Sequence, residues 1–124
     1  MFFDCMAVGA GGFAGAVFRY LVGLIPFLHR SEFPLHTLII NFAGALLIGL
    51  IFGISQSQGR LDPRMILFLK VGVCGGFTTF STFALESYNL LDSGSTLLSV
   101  IYITASVVFC IAGVYAGILL GTQR

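Results

Sequence analysis

The stretch VGVCGGFTTFSTFALES, residues 71–87, decides how this chain is read. It is apolar enough to lie in a membrane, yet it sets two adjacent glycines, Gly75 and Gly76, beside Thr78, Thr79 and Thr82. Glycine is poor in a helix interior and threonine only moderate. A segment that only had to span would use Leu and Ile. The composition predicts a break in the helix between Gly75 and Phe80, at mid-membrane depth. Such a break frees backbone groups that lipid cannot satisfy, so it is tolerated only where it faces protein, water or an ion. The half-helix ends then carry partial charge: carbonyls can hold a cation and amides favour an anion. The plainer alternative is a glycine kink sealed by neighbouring Ser and Thr hydroxyls.

Outward from this stretch the chain keeps the same character. Of 124 residues, 57% are hydrophobic and 9% charged, where a soluble domain carries about 25% charged residues. There are too few charges to cover a soluble surface. Four stretches supply the roughly 20 mostly apolar residues that a spanning helix needs. They are about 5–25, with Arg19 as its one charge; 35–54, uncharged; 65–90, with Lys70 and Glu86 near its ends; and 96–120, uncharged. The connections are short: 26–34, then 55–64 with Gly59 and Pro63 as breakers, then Asp92, Ser93 and Gly94. Tight connections make consecutive helices antiparallel neighbours. The fold class expected is an all-α membrane protein, a single transmembrane domain over 1–124, with its third helix broken.

Several function classes drop out. A net charge of +1 gives no electrostatic case for nucleic acid. Cys5, Cys74 and Cys110 are scattered through apolar stretches without metal-ligand spacing, and read as buried small apolar side chains. The N-terminus carries Asp4 without the positive region of a cleaved signal. No span holds paired carboxylates, no Cys–His pairing is evident and no phosphate loop occurs, so an enzyme is not expected. His29 and His36, in or beside a short interfacial loop, read as exposed polar residues rather than ligands. Arg60, Arg64 and Arg124, with Lys70 nearby, fall on the side of the N-terminus, and Arg30 on the other. The positive-inside rule leans towards both termini in the cytoplasm, on few enough residues that insertion both ways round stays open.

The remaining polar and small residues form a pattern. Glycines at 9, 11, 12 and 15, at 44, 49 and 53, and at 113, 117 and 121 let helix backbones approach closely in lipid. Phe80 and Phe83, three apart, share a helix face; Thr79, Thr82 and Glu86 lie on an adjacent one, with Ser81 flanking. A phenyl ring has a positive edge against which an anion can lie. Asn41 is the only strongly polar residue deep in the second span; it either makes an interhelical hydrogen bond or offers an NH2 donor to a pathway, and both readings stand. Arg19 is a costly intramembrane cation that either snorkels outward or forms the base of an aqueous vestibule attracting anions. Thr104 and Ser106 offer hydroxyls in the fourth span, where such groups ordinarily bond their own backbone.

GGFAGAVFRY (11–20), the asparagine of IINFAG (39–44) and GGFTTFSTF (75–83) stand in that order along the chain. The whole length resembles the small fluoride channels called Fluc, also named CrcB. The resemblance implies an antiparallel, dual-topology homodimer in the cell inner or plasma membrane, with two separate fluoride pores. It implies that the ring edges of Phe80 and Phe83 contact fluoride and that Asn41 is the pore asparagine. Thr79, Ser81 and Thr82 would lie near the path, Ser106 on a hydroxyl track, and Arg19 near the vestibule. The backbone carbonyls of Gly75 and Thr78 would hold a structural Na⁺ at the dimer two-fold.

The implied partners are fluoride, membrane lipid and a second copy. The implied function is passive export of cytoplasmic fluoride, which protects the cell: hydrogen fluoride enters neutral and ionises inside. Four carbonyls, two from each subunit, can enclose Na⁺ only if the helix breaks at the symmetry axis. The lean of Lys and Arg to one side stands against an even dual topology. A drug–proton antiporter would need an intramembrane carboxylate, for which only Glu86, near the end of its span, offers itself. A non-transporting helper of membrane organisation would leave the polar third span without purpose.

Overall fold

The computed structural model describes residues 1–59 and 61–123; Arg60 and Arg124, on which the orientation argument leaned, lie outside the described residues. Among the described residues the chain is all helical, without a strand. Helix α1 runs Phe2–Gly23, a 3₁₀ turn Pro26–His29 follows, and α2 runs Leu35–Gln58. The third segment is composite: α3 (Pro63–Ile66), a π-helical stretch Leu67–Cys74, α4 (Gly75–Phe77), and α5 (Phe80–Asp92). Helix α6, Thr96–Thr122, closes the chain. Four segments are long and apolar enough to cross a membrane: Phe2–Gly23, Leu35–Ser57, Pro63–Asp92 and Thr96–Thr122. The first begins three residues before the expected boundary of residue 5, and the third is wider than 65–90 at both ends.

The ends follow local chemistry. Gly59 stops α2 in the left-handed region at φ 58°, where a side chain would be strained. Asp62 caps α3 by accepting from the Arg64 N–H at 2.9 Å, with Pro63 in the first turn, where its missing N–H costs nothing. Gly94, at φ 84°, makes the turn between α5 and α6.

Packing departs from chain order. The short loops make consecutive helices neighbours, but α1 lies mainly on the third segment and α2 mainly on α6, with α1 touching α2 little. Glycine explains the choice. A Cβ on Gly11 would stand 2.9 Å from Gly72 Cα and 3.0 Å from Val73 N. One on Gly117 would stand 2.7 Å from Leu50 N, and one on Gly121 2.8 Å from Ile54 N. Backbone meets backbone along both seams, and close van der Waals contact is what associates helices in lipid.

The interior is correspondingly thin. Ile40, Ala45, Ile51, Cys74, Leu90 and Tyr102 are its buried apolar residues, while Phe13, Phe18, Leu97, Ile111 and Tyr115 face outward. Outward apolar side chains along the spans suit a hydrocarbon solvent. The buried reading of the cysteines holds for Cys74 but not for Cys5, which is exposed; Cys110 is half-buried. Cys5 stands near the start of α1, on a part of the helix that no seam covers.

Candidate functional site

Helical geometry stops at two residues. Thr78 (φ −77°, ψ 159°) and Thr79 (φ −149°, ψ 114°) are extended, between α4 and α5. Extended backbone inside a helical segment leaves N–H and C=O groups without helical partners, and each must be accounted for. The Thr78 N–H still reaches Cys74 O at 3.0 Å, and the Thr78 hydroxyl donates to the same carbonyl at 2.8 Å. The Thr78 carbonyl accepts from Arg19 Nη1 at 3.4 Å. Both polar groups of Thr79 are taken by one side chain: Asn41 Nδ2 donates to Thr79 O at 3.1 Å, and Asn41 Oδ1 accepts the Thr79 N–H at 2.8 Å. The Thr79 hydroxyl caps α5, accepting from the Thr82 N–H at 3.2 Å. It also donates to Thr82 Oγ1 at 3.0 Å and lies 3.4 Å from Ser81 Oγ.

Two open spaces adjoin this junction. A groove of about 400 Å³ is lined by Asn41, Gly75, Thr78, Thr79, Phe80, Phe83 and Ser106, with Lys70 and Cys110 also on its wall. A smaller cavity of about 200 Å³ is lined by Arg19, Tyr20, His36, Thr37, Thr79 and Thr82. Thr79 belongs to both. Asn41, left between two readings by the sequence, bonds across helices and also lines the groove.

The other expected residues are placed as follows. Phe80 is 79% exposed, its ring 5.4 Å from that of Phe83 at 50°. Phe83 is half-buried, its ring 5.3 Å from Tyr102. Ser81 is exposed. Ser106 is 5% exposed, and its Oγ has no hydrogen-bond partner among the described residues. The expectation that such hydroxyls bond their own backbone fails here. Thr104 is exposed and does not line the groove. Gly75 is exposed, with open space where a Cβ would stand. Neutral carbonyls at Gly75 and Thr78 suit a hard cation such as Na⁺ in donor type, and Arg19 already shares the Thr78 oxygen.

A polar cluster beside the junction went unread in the sequence. Glu86 accepts from Thr37 Oγ1 at 2.9 Å and from the Tyr102 hydroxyl at 2.7 Å, and its Oε1 lies 3.2 Å from His36 Nε2. Ser99 donates to Ser87 O at 2.9 Å, tying α6 to α5. His36 was read as exposed; its side chain is 22% exposed because α5 brings Glu86 against it. Ser99, Tyr102 and Ser106 recur at helical spacing on α6, and that stripe was the available signal.

Residues 6–118 match the family model described as CrcB-like protein, Camphor Resistance (CrcB). The chain is 46% identical over 118 residues to the fluoride-specific ion channel FluC of Ruminiclostridium cellulolyticum, covering 94% of this chain and 91% of that one. It is 46% identical over 114 residues to the fluoride-specific ion channel FluC 1 of Nitrobacter hamburgensis, covering 91% and 90%. It is 38% identical over 117 residues to the fluoride-specific ion channel FluC of Flavobacterium psychrophilum, covering 94% of each. With four apolar helices of spanning length and this match along its length, the chain is a multi-pass membrane protein belonging to the CrcB family.

Proposed function

We propose that this protein is a fluoride-specific ion channel that lets cytoplasmic fluoride leave the cell passively, down its electrochemical gradient. The observation that carries the reading is Thr79, an interrupted point of the third segment shared by the Phe-lined groove and the Arg19 cavity. Fluoride is strongly hydrated, so a channel must replace water with donors that do not trap the ion. The free Ser106 hydroxyl, the second N–H of the Asn41 amide and the positive edges of Phe80 and Phe83 supply weak, spaced donors of that kind. Arg19 would raise the local concentration of anions at the cavity. The antiporter alternative has no support: the curated relatives carry the channel name, and Glu86 is already engaged by two hydroxyls and an imidazole.

The working unit in this reading is an antiparallel, dual-topology homodimer, with the third helix broken at mid-membrane. One chain leaves Phe80 and Gly75 exposed and the groove open on one side, which a second copy would close. The carbonyls of Gly75 and Thr78 from two copies would hold a structural Na⁺, whose chemistry is to bind neutral oxygens and fix the two chains together.

Fluoride efflux from proteoliposomes, followed with a fluoride electrode, tests the function; absence of flux from well-folded protein would overturn it. Replacing Na⁺ with a bulky organic cation should weaken the dimer or its flux, and indifference to that replacement would remove the carbonyl site.

A further inference from the structure

Lys70 is the charged group that the channel reading leaves without a task. It is exposed, it stands inside the third span, and it lines the groove that Asn41, Thr79 and Ser106 also line. It is the one charged side chain on that wall, and among the described residues it pairs with no carboxylate. An unpaired cation within a membrane segment is costly, and it is tolerated where it faces a cavity or the interface.

The helix directions place Lys70 at one end of the groove. Gly11 meets Gly72 and Gly15 meets Gly76, so α1 and the third segment run the same way. Gly49 meets Val114 and Gly53 meets Gly121, so α2 and α6 also run together. Gly44 meets Thr78 whereas Thr37 bonds Glu86, so the two pairs are opposed. Lys70 before Thr78, Ile48 beyond Asn41 and Val114 beyond Ser106 therefore mark the end of the groove on the side of the N-terminus. The smaller cavity is built towards the other side, from Arg19 and Leu24 late in α1 and His36 and Thr37 early in α2. Thr79 is common to both spaces, so a cation stands on either side of it.

A second observation in the same groove points to an anion. Ser106 is 5% exposed, and its hydroxyl finds no partner among the described residues. A buried donor without a partner is costly unless a ligand takes its hydrogen bond. Lys70 precedes Thr78 by eight residues, about 10 Å along a helix. That is too far for an ammonium to hold an ion at the junction, and near enough to act on it through an apolar groove.

We propose that Lys70 is the anion-recruiting residue of the groove: its ammonium draws fluoride in from the side of the N-terminus towards Ser106 and Thr79, opposite the side served by Arg19. The inference rests on the fluoride-channel reading and assigns to it a second recruiting charge.

Fluoride efflux from proteoliposomes, at limiting fluoride and low ionic strength, tests it with a charge series. Lys70→Gln should be about two- to tenfold slower than wild type, Lys70→Glu slower still, and Lys70→Arg close to wild type. The differences should shrink when a salt of a bulky organic anion screens the groove, and close at saturating fluoride. Equal flux in all four proteins overturns the inference and leaves Lys70 as a side chain that snorkels to the interface. So does an equal loss in all three variants that survives saturating fluoride, which marks a packing role. A wild-type protein without fluoride flux overturns the channel reading beneath it instead.

Discussion

The α2–α6 seam and the Thr78–Thr79 junction answer opposite demands of the same solvent. Along the seam, Gly49, Gly53, Gly117 and Gly121 bring two continuous helices together with no side chain between the backbones. Both backbones stay helical there, with the Ser57 hydroxyl of α2 also donating to Gly121 O of α6 at 3.2 Å, and glycine supplies proximity. At the junction the helix stops, and its freed groups are met by side chains from elsewhere: Asn41 from α2 and Arg19 from α1. The seam joins two unbroken helices; the junction exists only because distant residues converge on it. Polar residues in a membrane protein are costly, and here they are spent where backbone is unpaired.

The contrast can be broken from the seam side with the largest effect. Gly117→Leu drives a side chain into the Leu50 backbone and should cost at least about 3 kcal/mol, seen as loss of monodisperse protein in detergent. Gly9→Ala, at a glycine with nothing within 4 Å, should instead be neutral or gain about 0.5–1 kcal/mol of helix stability. If both behave alike, the seam is not what the glycines serve.

At the junction, Asn41→Asp replaces the donor to Thr79 O with a negative acceptor. Fluoride flux should fall by about a hundredfold in a protein that still folds; normal efflux would remove Asn41 from the pathway. Phe80→Ile and Phe83→Ile should each reduce flux by about three- to tenfold. Phe83→Ile should also lower thermal stability more than Phe80→Ile, since only Phe83 packs against Tyr102. Equal flux in both variants and wild type would count against ring-edge coordination. The smallest effect belongs to Ser106→Ala: flux down about two- to fivefold, with stability unchanged or raised, because an unpaired buried hydroxyl costs the fold energy. A loss of stability would mean that Ser106 has a structural partner.

Much of this was legible without coordinates. Spans at 5–25, 35–54, 65–90 and 96–120 fall within a few residues of the four helices, because a run of apolar residues long enough to cross lipid has little else to do. The stretch that named the junction did so through composition alone: two glycines and three threonines where Leu would be better. What stayed hidden were the pairings. Glu86 and His36 are 50 positions apart, and nothing local marks His36 as half-buried rather than exposed. The same limit misjudged Cys5 and left the closest pairings open, since loop length restricts which helices can be neighbours but does not choose among them.

The sequence by itself determined the number of spans and the all-helical class, and its motifs carried the family. The first two follow from hydropathy and backbone propensity, which act along the chain. Only the tertiary structure decided that Asn41 clamps both backbone polar groups of Thr79, that Arg19 reaches the Thr78 carbonyl, and that the Ser106 hydroxyl finds no partner among the described residues. Hydrogen bonds between helices depend on distances of about 3 Å set by rotation and depth of whole helices, quantities that no single segment encodes.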